Sequence, residues 1–294
     1  MKKTKFLTAI AAVSLAITAM VSNAATVNYN AGDLVVAFTT NAGVGAGQTV
    51  MLSLGDVTTL RDLNTNNFAL SNVGSLLDNT FGLAGGGSVA WYDRTDLYWG
   101  AVALFSSSRQ GNVNEGDPDL TIYASKSRPS TGSASTAWTI GSQTNRGNTA
   151  TAMSTMLTAF DGVTADSSNA AAGVESANGT SWDHYNPPVG NANTSFGTLT
   201  STGVGIEQKF TGSSYGTVSG TAVEGMIDIY RILDTTTGAS PGGTVGTGSR
   251  IGSLVIQQNG DVGFVAAVPE PSTWALIGFG LLTVVIFRRR LQHS

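Results

Sequence analysis

The sequence predicts a mainly β protein. The expected architecture is an antiparallel β-sandwich or jelly-roll-like domain with long polar loops and one or two short helices, framed by an N-terminal signal helix and a C-terminal transmembrane helix. Three observations carry that expectation. Apolar residues alternate with a period of two through much of the interior, the pattern of strands with one better-buried face. An Asn-Gly pair lies between two apolar runs near the end, a strong hairpin signal. Glycine makes up 37 of 294 residues without the three-residue period of collagen, and 41% hydrophobic content suffices for a packed core.

Taken in order, Lys2, Lys3 and Lys5 precede an apolar stretch over 6–21, and Ser22, Asn23 and Ala24 follow it. Basic, apolar and small-residue regions in that order predict a signal peptide over 1–24, cleaved between Ala24 and Ala25. Leu34, Val36 and Phe38 then alternate with Asp33, Val35 and Ala37, and Val50, Leu52 and Leu54 with Thr49, Met51 and Ser53. Residues 97–105 are apolar on both faces, which predicts a central strand covered on each side. Ile227, Ile229 and Leu233 alternate with Asp228, Tyr230 and Ile232 as a further strand. Runs at 251–257 and 262–266 flank Gln258, Asn259, Gly260 and Asp261, where a type I′ turn is expected. Helix is the minority state. Met153, Met156, Leu157 and Phe160 fall on one side of a helix over 149–160, and 72–78 reads as a short helical turn after an Asn cap. Stretches rich in Gly, Ser, Thr and Asn at 125–148, 161–194 and 235–249 read as long loops.

Composition removes several function classes. No cysteine is present, so there is no disulfide framework, Cys-ligated metal centre or thiol nucleophile. Lys and Arg number 15 against 19 Asp and Glu, an acidic balance that argues against nucleic acid as a partner. Six of those basic residues and one acid sit in 1–24 and 269–294. The intervening domain, 25–268, therefore holds 9 basic and 18 acidic residues, a net charge of −9.

The C-terminal end is apolar from Trp274 to Phe287, and Arg288, Arg289 and Arg290 follow at once. Fourteen helical residues span about 21 Å, a marginal crossing of a roughly 30 Å hydrocarbon core. Snorkelling of the arginines extends it, and the basic cluster is expected to stay on the cytoplasmic side as a stop-transfer charge. Upstream lie Val268, Pro269, Glu270, Pro271, Ser272 and Thr273. This order of Pro-Glu-Pro, short apolar helix and arginine cluster resembles the PEP-CTERM sorting signal of Gram-negative bacteria, over about the last 25 residues. The resemblance implies recognition of Pro269, Glu270 and Pro271 by exosortase, an integral-membrane transpeptidase. It further implies export machinery and a transient inner-membrane stage before the cell surface, extracellular polymer or biofilm matrix. Segments around 30–38, 227–233 and 254–264 are also similar to those of other PEP-CTERM proteins, which implies a shared β architecture and no activity.

Chemistry within the domain is sparse. His184 is its single histidine, and Ser214 fits G-x-S-x-G over 212–216 without a histidine in the right order after it. Asp93 and Asp96 are a conceivable carboxylate pair among Trp91, Tyr92 and Trp99, aromatics that could stack on sugar rings. Asn112, Asn114, Asp117 and Asp119 concentrate oxygen ligands of the kind calcium takes. No other cofactor is expected. The expected function is that of a non-enzymatic structural or adhesive protein of the surface or matrix. The alternatives are a carbohydrate-binding module, with extracellular polysaccharide as partner, and an exported glycoside hydrolase.

Overall fold

The computed structural model describes residues 25–105, 117, 121–136, 138, 143–185, 205–233 and 248–267. In chain order these form β1 (Asp33–Thr40), β2 (Gln48–Asp56), α1 (Val57–Arg61), β3 (Asn67–Asn72), α2 (Gly74–Phe81), a 3-10 turn (Trp91–Asp93) and β4 (Leu97–Leu104). There follow β5 (Ile122–Ser127), α3 (Gln143–Phe160), β6 (Ala172–Ser176), α4 (Trp182–Tyr185), β7 (Gln208–Lys209), β8 (Gly216–Val218), β9 (Thr221–Val223), β10 (Gly225–Ile232), β11 (Ser249–Ile256) and β12 (Asp261–Ala266).

Ten of the strands join one antiparallel sheet in the order β3-β12-β11-β10-β5-β4-β1-β2-β6, with β7 on β4. The sheet curls strongly. Leu34, Val36 and Phe38 of β1 share one core with Ile227 and Ile229 of β10, Leu254 of β11 and Phe264 of β12. The two-layer packing expected of a sandwich thus comes from a single sheet whose arms face each other. Helix α1 packs inside, touching β2, β11 and β12. On the outer face, Met153, Met156, Leu157 and Phe160 of α3 cover Val35, Ala37, Met51, Val102 and Leu104. Both faces of β1 are therefore buried, and β4 lies between β1 and β5 as a covered central strand.

Curling brings the two edge strands together. The side chain of Asn169, in the turn leading into β6, donates to Ser71 Oγ at 2.9 Å and to the Asn72 carbonyl at 2.8 Å, both on β3. The edges are also blunted locally. Asp166 N–H donates to the Ala172 carbonyl at 2.7 Å, and Asn178 Nδ2 to the Ser176 carbonyl at 3.0 Å. Capping an edge in this way removes a template for pairing with a second chain.

Local chemistry explains where the elements differ from expectation. Helix α2 runs from Gly74 to Phe81, and Asn72 starts it by accepting the Gly74 N–H at 3.1 Å. Asp56 caps α1, accepting from Thr58 N–H at 2.9 Å. Two stretches read as loops contain strands, β5 entering 125–148 and β6 lying within 161–194, while most of 235–249 is outside the described residues. The hairpin between β11 and β12 is not type I′. Gly260 has φ 85° but Asn259 does not adopt positive φ. Gly260 N–H bonds the Gln257 carbonyl at 2.9 Å, and Gln257 N–H bonds the Asp261 carbonyl at 2.9 Å, a three-residue loop ending in a left-handed glycine. The β8–β9 turn instead has positive φ at both Ser219 (50°) and Gly220 (85°). Among the described residues no helix is long and apolar enough to cross a membrane. The expected signal peptide over 1–24 and transmembrane helix over 274–287 lie outside them.

Replacing Asn169 with Ala removes both cross-edge bonds. Denaturant unfolding is expected to show a loss of about 1 kcal/mol, and a melting temperature lower by about 2–4 °C; an unchanged midpoint counts against the seam.

Candidate functional site

The aromatic segment expected to offer a sugar platform is core. Alternation along β4 places Leu97, Trp99 and Ala101 on its inner face. Trp99 stacks on Phe38 with ring centres 5.8 Å apart and is fully buried, while Trp91, 3% exposed, meets Phe210 edge-to-face at 5.8 Å. Tyr92 is half-buried with its ring edge-on to Trp91. Trp91 and Trp99 have no free ring face for a glycan, which corrects the expectation for Trp91, Tyr92 and Trp99 as a stacking surface.

Of the four residues expected to hold calcium, Asp117 alone lies among the described residues. It is buried, and its carboxylate accepts from Arg61 Nη1 at 2.8 Å, from Tyr123 Oη at 2.6 Å and from Arg231. With those donors filling its oxygens, Asp117 serves packing rather than a cation. Asn112, Asn114 and Asp119 lie outside the described residues, and among the described residues no group of three or more His, Asp or Glu is placed to hold a metal. His184 is exposed on α4 with its ring edge-on to Tyr185, and exposed Ser214 has its Oγ 3.4 Å from the Val223 carbonyl.

Asp93 and Asp96 are separated by function. Arg94, 7% exposed, pairs with Asp96 at 2.8 and 2.7 Å. Its remaining donors reach the Val44 carbonyl at 2.6 Å, Phe81 carbonyl at 2.9 Å, Ala42 carbonyl at 2.7 Å and Thr40 Oγ1 at 3.1 Å. The guanidinium therefore ties the β1–β2 loop to the end of α2. Above it opens a cleft of about 650 Å³ lined by residues of the β1–β2 loop, the glycine-rich loop after α2 and Asp93–Asp96. The hydrogen bond to Arg94 holds the Asp96 carboxyl below its usual range.

The chain continues in the sheet to its last described residue, with Ala267 N–H donating to the Ile251 carbonyl at 3.2 Å. From that residue the family comparison takes over: residues 267–290 match the model described as the PEP-CTERM protein-sorting motif. This protein carries a PEP-CTERM sorting motif. Comparison with curated proteins and with solved structures returned no match. The PEP-CTERM motif implies export through the membrane to the cell surface and processing by an exosortase-type system. Pro269, Glu270, Pro271 and Arg288, Arg289 and Arg290 all lie outside the described residues, as does Ala24, whereas the Ala25 carbonyl accepts from Ala165 N–H at 2.7 Å.

One group within the PEP-CTERM protein's domain escaped the sequence reading. Thr39, Thr49 and Glu175 are cross-strand neighbours on β1, β2 and β6, and α4 closes over them. Asp183 accepts from Thr39 Oγ1 and, at 3.3 Å, from Thr49 Oγ1. Glu175 accepts the Trp182 N–H at 3.2 Å, and Trp182 Nε1 donates to Glu207 at 2.8 Å. Burial, helped by the Asp183 charge, pushes the Glu175 carboxyl up to about 7, and burial raises that of Asp183 as well. No linear spacing links positions 39, 49, 175 and 183; strand register alone assembles them.

Because Glu175 holds its proton in the folded state to about pH 7 but loses it in the unfolded chain near 4.5, stability falls as pH rises through that window and levels above it. Glu175→Gln should flatten this slope and stabilise the protein at pH 8 by on the order of 3 kcal/mol. Thermal melts of both proteins from pH 4 to 8 check it; parallel curves refute it.

Proposed function

We propose that this is a non-catalytic structural or adhesive protein of the cell surface or extracellular matrix, delivered there by its PEP-CTERM motif. The observation that supports this reading most directly is the junction. The sorting segment begins at Ala267, itself still hydrogen-bonded to β11, so the β domain is the part that the motif delivers.

The chemistry of the domain supports a passive role. Asp117 and Asp228 are fully enclosed by arginine and hydroxyl donors. Asp228 accepts from Arg128 at 2.7 Å, Ser253 at 2.6 Å and Ser135 Oγ at 2.8 Å. Burial pushes its carboxyl up, but these bonds outweigh burial and hold it below the usual range. Groups bound so fully stabilise an arrangement and leave little freedom for proton transfer. The capped edges suit a β protein that spends its life exposed among identical copies.

Removing residues 268–294 is expected to abolish surface or matrix location without unfolding the domain. Intact-mass measurement of the mature protein should show that Arg288–Ser294 have gone. A mature form retaining them, or a deletion strain with unaltered cell aggregation and matrix composition, counts against the proposal.

A further inference from the structure

We propose that the cleft above Arg94 is a saccharide site that takes a neutral, hydroxyl-rich sugar. Its position comes from topology. The cleft opens where β1 ends at Thr40 and β4 begins at Leu97. β12 stands five antiparallel steps from β1 across the sheet, so it runs away from that end, and Ala267 leaves at the other. The end bearing the cleft is the one presented outward while the tail is held.

The lining sets the ligand class. Asp93 is exposed, and among the described residues its carboxylate takes no hydrogen bond. Asp96 is ionised beside it, with 37% of its side chain exposed. Carboxylates accept from hydroxyl pairs, and Ser88 adds a hydroxyl. Among the described residues Arg94 is the one cation lining the cleft, and its donors are already engaged, so an anionic ligand meets no available counter-charge from them. Apolar surface is present too. Val44 and Val89 line the cleft, Val89 is 43% exposed, and Leu83, on the same glycine-rich loop, is 57% exposed. Gly86, with φ 92°, has open space where a Cβ would stand, so a ring can approach the peptide directly. A lining that combines polar acceptors with apolar contacts matches a pyranose, with hydroxyl edges and a C–H face. The volume lies within the usual range for small-molecule sites. This inference relies on the surface reading only for where the sugar is met; binding is read on the isolated protein, so either can fail alone.

The test is calorimetric titration of the full-length protein in detergent with neutral tetrasaccharides of glucose, galactose and mannose. A tetrasaccharide of uronic acid and a lysine tripeptide serve as anionic and cationic arms. A neutral tetrasaccharide should bind, about tenfold or more weakly after Asp93→Ala and not at all after Ser88→Trp, with both variants melting like the parent. Should Ser88→Trp misfold, Asp93→Ala decides alone. Absence of neutral-sugar binding, equal affinity in Asp93→Ala, or preference for the uronic acid or the lysine peptide overturns the proposal.

Discussion

A sheet buries a face only against another layer, and this chain makes that layer by bending its own sheet until the arms meet. The consequence is seen at Phe264, which belongs to the strand next to one edge yet shares a core with Leu34 and Leu52 from the opposite arm. Building such a core requires the chain to find the nonlocal pairs β1–β4, β5–β10, β2–β6 and β3–β12. No disulfide shortens that search by restricting the unfolded chain. Helix α1 and the Asn169 seam are what hold the bend: the helix packs between the arms, and the amide bridges their edges. A sheet built from so many nonlocal pairs implies slow folding.

Buried charges act at the places where hydrophobic packing cannot reach. Arg94 collects the carbonyls of Ala42, Val44 and Phe81, acceptors from the β1–β2 loop and the end of α2 that no strand pairs. Arg128 links the end of β5 to Asp228 in β10, and Asp117 gathers Arg61 from α1 and Arg231 from β10. Each of these ions loses its water on folding, and each is tolerated because the partner and further hydrogen bonds replace it. Removing one partner leaves the other uncompensated, commonly a loss of about 3–5 kcal/mol. These ion pairs tie the domain's own loops and elements to one another. Asp93, exposed over the cleft, is a contrasting case.

How much of this was legible in the sequence depended on whether side-chain burial or strand register decided the outcome. β1, β2 and β10 were readable because their apolar residues recur with period two, β4 because its run is apolar on both faces, and α3 because Met153, Met156, Leu157 and Phe160 recur at helical spacing. β6, with the sequence AGVES, was not: small and polar residues give no periodic signal, and only pairing with β2 makes it a strand. The β11–β12 turn shows the division well. Asn259-Gly260 fits a two-residue turn, but that register would set Ile256 opposite Gly263 and Val255 opposite Phe264. Phe264 would then face away from Leu254 and Ile256. The observed pairs, Ile256 with Val262 and Leu254 with Phe264, keep all four on the core side and force the longer loop. Trp91 and Trp99 were ambiguous for the same reason. Aromatics beside acids suit a sugar site or a core, and the phase of Trp99 with Leu97 and Ala101 selects the core.

The junction with the sorting motif follows from the same register. β12 is an interior strand, paired with β11 on one side and β3 on the other, and it buries Val262, Phe264 and Ala266. A pull on the tail is therefore borne by the ladder and the core together. Val268 alone separates Ala267, still bonded to the sheet, from Pro269 in the sequence. The direction of β12 then sets Ala267, where the chain enters the sorting motif, at one end of the curled sheet and leaves the cleft and exposed Val89 at the other.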